Sequence, residues 1–165
     1  MSLTARIAVS LTATLTSALD LVTSNSPTTV HHTQDFADGA GLDQASRVFS
    51  DQRTLAASAA EDLDLAGGSL SDAFGAALTF TKLKAVMIRA AKGNTNSVLV
   101  GGDAASIPIF GAVNDVIAIP PGGVFLITAP TAAGFTVTAA TGDILQVANG
   151  GAGTAVTYDV VLIGA

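Results

Sequence analysis

The sequence predicts an all-β protein: an antiparallel β-sandwich or jelly-roll-like barrel, with an extended N-terminal arm and at most one short helix. Three observations carry this. Gly93 to Ala165 holds no Lys or Arg, only four acids, and twelve glycines. The same stretch is a succession of short Val/Ile/Leu/Thr/Phe runs broken by Gly, Pro and Asn at about 8–12-residue spacing, the pattern of short strands joined by turns. Near the start, Ala5, Ile7, Val9, Leu11, Ala13 and Leu15 alternate with Arg6, Ser10, Thr12, Thr14 and Thr16. A period of two describes a strand with one apolar face. Sandwich and closed barrel both read as alternating short strands, so the pattern leaves that choice open.

In chain order, the first strand interrupts Met1–Leu21 with Thr and Ser too often for the apolar core of a secretion signal. Thr23 to Gln44, with Pro27, the His31–His32 pair and Gly39 and Gly41, reads as a long connection without clear periodicity. Such a segment serves function or orders against a partner. Residues 1–46 thus form an N-terminal strand and arm, and residues 47–165 the sandwich. A strand is expected at Arg47–Ser50 and another over Arg53–Leu65, where Leu55, Ala57, Ala59, Leu63 and Leu65 share one face. Glu61 interrupts that face and marks a bulge or an edge. Gly67-Gly68 ends the strand, and Ser69-Leu70-Ser71-Asp72 has the spacing that opens a helix, limited by Gly75 to one or two turns.

Lys82–Lys92 carries both signals. Leu83, Val86, Met87 and Ala90 fall at helical spacing, but Thr79-Phe80-Thr81 and β-branched Val86 and Ile88 favour a strand. A hairpin through Asn94-Thr95-Asn96 into Ser97–Val100 is expected. Val116–Ile119, Val124–Thr128, Phe135–Ala139, Asp143–Val147 and Ala155–Ile163 complete the strands. Pro120-Pro121-Gly122-Gly123 makes a tight turn because Pro sets φ near −65° and Gly accepts positive φ.

Composition narrows the function. With thirteen acids against seven bases, the net charge of −6 opposes binding to nucleic-acid phosphates. The longest uncharged stretch, Val116–Gly142, carries three prolines and four glycines, which argues against a membrane-spanning helix. There is no cysteine, hence no redox address. Gly150-Gly151-Ala152-Gly153 approaches a calcium β-roll repeat, but Ala155 stands where Asp is needed. Val156 occupies the third glycine position of a dinucleotide fingerprint, and no phosphate loop or nucleophile elbow is present. The chain is not expected to be an enzyme, to bind a cofactor or to hold a metal.

The remaining chemistry-bearing residues have bland explanations as well. His31 and His32 point to opposite faces of an extended chain, so a single subunit cannot offer both to one ion; an oligomer axis could gather copies of one of them. Asp62 and Asp64 share a strand face, with Glu61 opposite, and suit a solvated edge better than a calcium site or a catalytic pair. Lys82, Lys84, Arg89 and Lys92 are four of the seven bases within eleven residues. They form either a basic strip for an acidic partner or a solvated sheet face. Phe110, Phe125 and Phe135 occupy core positions. The absence of Trp and the single Tyr158 weigh against a sugar-stacking platform.

Four segments, Arg47–Leu65, Leu78–Arg89, Pro120–Ile127 and Gly151–Ala165, resemble small virion structural proteins of tailed bacteriophages and prophages. The resemblance spans roughly Arg47 to Ala165, and its motifs are structural. It implies a capsid decoration (cement) protein that binds and stabilises the assembled head, with a tail-tip or fibre component, or a receptor- or carbohydrate-binding module of the tail, as the alternative. It also implies a homo-oligomer, with a trimer favoured, partnered by the major capsid protein or other virion proteins. It assigns no contact residue.

Overall fold

A computed structural model describes residues 2–165, and among them there is no helix. The N-terminal arm is a long hairpin. β1 (Ala5–Ala18) pairs antiparallel with β2 (Thr23–Asp38) over their whole length, from Ala5 opposite Phe36 to Ala18 opposite Thr23. A two-residue β3 (Gln44–Ala45) pairs parallel with the end of β2.

The body follows. β4 (Arg47–Leu55) leads to β5 (Ala60–Asp64), then to the small hairpin of β6 (Leu70–Ser71) and β7 (Ala77–Leu78). β8 (Lys82–Ala90), β9 (Val98–Gly101), β10 (Val116–Ile119) and β11 (Val124–Thr128) come next. β12 (Phe135–Thr136), β13 (Ile144–Asn149) and β14 (Val156–Gly164) close the chain. One sheet has the order β11-β8-β14-β4, with β12 also on β8, and the other has β10-β9-β13-β5. All neighbours within these two sheets are antiparallel. Counting their eight main strands in chain order, the sheets read 6-3-8-1 and 5-4-7-2. That is the strand order of a jelly roll, in which two Greek keys leave two facing sheets. The fold is therefore a two-sheet sandwich and not a closed barrel.

Alternation places the core between the sheets. Val156, Tyr158, Val160 and Leu162 of β14 and Leu83, Val86 and Ile88 of β8 meet Leu63, Val98, Val100, Leu145 and Val147 of the other sheet. Each such aliphatic chain removed from water contributes about 1.5–3 kcal/mol, before chain entropy is set against it. A second, smaller cluster lies on the outer face of the β8–β14 sheet. There Val48, Ala85, Val161 and Ile163 are covered by Ala5, Ile7, Phe36 and Ala45, so the root of the hairpin is packed onto the body.

Several local expectations are corrected. Thr23–Gln44 is largely strand; with both faces of its outer half in water, β2 needs no apolar alternation, and its pairing with β1 decides its shape. Arg53–Leu65 is two strands in opposite sheets, turned at Ser58 with φ +57°. Ser69–Asp72 starts no helix. Leu70 pairs with Leu78, and the Asp72 carboxylate accepts the N–H groups of Phe74 and Ala76, both at 2.9 Å, closing a turn. β8 and β9 form no hairpin, because the chain crosses between sheets there. β5 is an edge strand, as Glu61 suggested, but the bulge lies elsewhere. Ile163 pairs with Ala85 and Gly164 with Leu83, leaving Lys84 as the extra residue. The strand expected over Phe135–Ala139 shrinks to two residues.

Candidate interaction surface

The most distinctive surface is the outer part of the hairpin. From Ala8 to Thr33 every residue is exposed. Directly opposed residues of an antiparallel pair project to the same side. One side of the ribbon therefore carries Val9 with His32, Leu11 with Val30, Ala13 with Thr28 and Leu15 with Ser26. The other carries Ser10 with His31, Thr12 with Thr29, Thr14 with Pro27 and Thr16 with Asn25. The apolar side continues inward to Ile7, Ala5 and Phe36, and so runs without a break into the outer cluster of the body. At the tip, Leu19, Leu21 and Val22 stand in water, Leu21 at 99% exposure. Between Arg6 and Asp35 the ribbon carries one carboxylate, Asp20, and no Lys or Arg. Arg6 and Asp35 pair across its root at 2.5 Å, both well exposed.

The two histidines fall on opposite faces, as the extended geometry requires, His31 among hydroxyls and His32 beside Val9. Among the described residues no group of three His, Cys, Asp or Glu side chains is placed to hold a metal.

The acidic group separates into three structural roles. Asp62 accepts a hydrogen bond from Gln146 Nε2 at 2.9 Å. Asp64 accepts the backbone N–H groups of Ala66 and Gly67 at 3.0 and 2.6 Å, fixing the turn that leaves β5. Glu61 turns towards the interior, where it accepts the Tyr158 hydroxyl at 2.6 Å and pairs with Arg53 at 2.5 Å. Sequence reasoning missed this link. The available signal was a carboxylate on an otherwise apolar strand face.

The basic segment is not a strip. Lys84 is fully buried at its bulge, its ammonium donating to the carbonyls of Gly41, at 3.0 Å, and Thr131. Desolvation, followed by repulsion from Lys82, pulls its pKa below the ordinary lysine value, against a smaller opposing pull from Asp43. Lys82 donates to the carbonyls of Ala132, at 2.9 Å, and Ala40, at 3.3 Å. Both lysines therefore tie the loop after the hairpin to the loop after β11. Arg89 pairs with Asp159 at 2.5 Å. Phe110, Phe125 and Phe135 pack against the main core, as expected, with the first two rings 6.1 Å apart.

An open groove of about 470 Å³ lies beside the hairpin root, bordered by Leu3, Arg47, Val48, Phe74 and Leu78. Its walls are mainly apolar, and Arg47 and Asp72 are its charged groups. No helix among the described residues is long and apolar enough to cross a membrane. No family model, curated protein or solved structure matches the chain.

Proposed function

We propose that this chain is a structural protein of a tailed-bacteriophage virion, a capsid decoration protein that self-associates and clamps the assembled head. The observation that carries the reading is the pairing of a rigid jelly roll with a long, exposed, nearly uncharged ribbon. Jelly rolls serve viral capsid proteins, lectins and cupins alike, so the sandwich narrows the class and does not decide it. The ribbon does more: an amphipathic two-stranded arm rooted in a packed cluster is suited to gripping another protein surface. Decoration is mechanical chemistry. A protein that binds the assembled lattice and not its free subunits stabilises the lattice by mass action.

Imaging virions from the strain that encodes the chain tests this by electron cryomicroscopy. The expected result is density for the jelly roll at repeated lattice positions on the head. Density confined to the tail favours the tail-component reading and overturns decoration, and absence from purified particles overturns the virion assignment. The companion measurement is binding to heads that lack the protein, with residues 1–46 deleted. Unchanged binding would show that the arm is not the grip.

A further inference from the structure

The ribbon has three unsatisfied features at once. Its apolar side is in water, its outer half has no third strand, and both edges present free backbone N–H and C=O groups, interrupted on β2 only at Pro27, which has no N–H. A two-stranded hairpin without a covering layer is marginal in water. Edges of this kind normally carry lysines, bulges or inward charges that prevent pairing. Here the paired registers from Ala8 opposite Thr33 to Ala18 opposite Thr23 continue without a shift and contain no Lys, Arg, Asp or Glu; Pro27 on β2 is the one residue of an edge-blocking type among them.

A foreign flat surface would cover the apolar side and leave both edges open. A second copy of the chain brings the complementary edges with it. We propose that the ribbons of neighbouring copies pair edge to edge in a closed ring, with Val9, Leu11, Leu15 and Val30 turned inward. Closure removes both edges and buries the apolar side in one step, whereas an open row would always leave a free edge at each of its two ends. The Ser and Thr side then faces water. Ala13, Ser26 and Thr28 are small enough to let the inward faces approach. Covering one face and both edges of a ribbon about 37 Å long and about 10 Å wide hides on the order of 800 Å² per copy, the size of a stable interface. Continuity of the inward face with Ile7 and Phe36 fixes each ring member rigidly to its own sandwich. This deepens the self-association part of the function proposed above and rests on it, but needs no particle.

The test is the solution mass of the full chain, by light scattering and native mass spectrometry. The expected mass is a multiple of the 16.3 kDa protomer. Leu11→Asp with Val30→Asp, which are register partners on the inward side, should release protomers and raise the dissociation constant at least 100-fold. Thr12→Asp with Thr29→Asp, the adjacent pair on the outer side, should leave the mass unchanged. Should the inward variant fail to fold, replacing Ala8–Thr33 with a short turn removes the ribbon outside both buried clusters and should give a folded protomer. A monomeric native chain, or an oligomer that survives both ribbon changes, overturns the proposal. Loss of the oligomer in the inward variant with virion binding intact supports the ring and shows that particle binding does not depend on it. An intact oligomer with no virion binding overturns the particle reading and leaves the ring standing.

Discussion

Tyr158 on β14 donates its phenolic hydrogen to Glu61 on β5 at 2.6 Å, so a side-chain hydrogen bond joins the two sheets of the sandwich. The ring is fully buried, and Arg53 on β4 meets the other carboxylate oxygen at 2.5 Å. A carboxylate on a core-facing strand position is tolerable because both its oxygens are engaged.

Tyr158→Phe should therefore cost about 1.5–3 kcal/mol, the range for a lost hydrogen bond to a charged group, read as a lower denaturant midpoint. Burial, then the hydrogen bond to Glu61, pushes the Tyr158 hydroxyl far above the ordinary tyrosine range. A folded-state pKa above the unfolded value means that this contribution is full below about pH 10 and is lost as the pH rises beyond it, because only the unfolded chain ionises. Unfolding curves between pH 9 and pH 11.5 should show a steeper alkaline loss in the native chain than in Tyr158→Phe. Parallel curves would sink the assignment.

Lys84 has the opposite sign. Its folded pKa is lowered by burial, so between that value and the unfolded value of about 10.4 the unfolded chain binds more protons, and stability gains as pH rises. Lys84→Met removes that gain and leaves the carbonyls of Gly41 and Thr131 without their donor. The expected loss is about 1–3 kcal/mol at pH 7. The gap to the native chain should widen towards pH 10. A gap that narrowed would show that the hydrogen bonds to the ammonium return more than its burial costs, contrary to a lowered pKa.

The strands of the C-terminal half were legible because glycines and prolines punctuate them and their inward positions alternate. Ile144–Asn149 follows that rule throughout, and Val156–Gly164 follows it as far as Leu162, after which Ile163 is buried on the other face by the hairpin root. Pairing was not legible, because it is non-local. Val156 lies opposite Leu55, about a hundred positions away, and no local signal says that β8 joins β14 and not β9. β2 escaped notice for a different reason: Val30 is the only large aliphatic residue in its outer half, so it shows no alternation of the kind that marks β1. The basic segment misled because charge density along the chain says nothing about which lysines a bulge turns inward. Lys84 is the case in point.

Gly101 ends β9 at φ +100°, where the chain leaves for the long loop to β10. A Cβ there would overlap the Asp115 carbonyl oxygen and sit 2.7 Å from the Phe110 ring. Gly101→Ala should cost about 2–4 kcal/mol, combining left-handed strain with displaced packing. Gly153 has a similar φ of +93° with open space around it. Gly153→Ala isolates the strain alone and should cost about 1–2 kcal/mol. Equal losses in the two variants, measured by urea unfolding, would mean that the close approach at Gly101 is relieved elsewhere.

The hairpin offers a final contrast, between its root and its tip. Phe36 is 1% exposed and anchors the ribbon to Ala85 and Ile163 on the body. Phe36→Ala opens a cavity in that cluster and should cost about 3–5 kcal/mol in the unfolding of the whole chain. Leu21 at the tip meets no neighbour that buries it, so Leu21→Ser should change stability by less than about 0.5 kcal/mol. The two residues belong to one hairpin, so hydrogen exchange can tell them apart. Amides near Phe36 should exchange with the protection of the sandwich, and those near Leu21 at the rate of local fraying. If the ribbons close into a ring, protection must spread outward along Ala8–Ala18 as protein concentration rises, and the Leu11→Asp with Val30→Asp variant must abolish that spread. Protection that ignored concentration would mean the ribbon is held by its own chain, leaving its apolar side for something other than another copy.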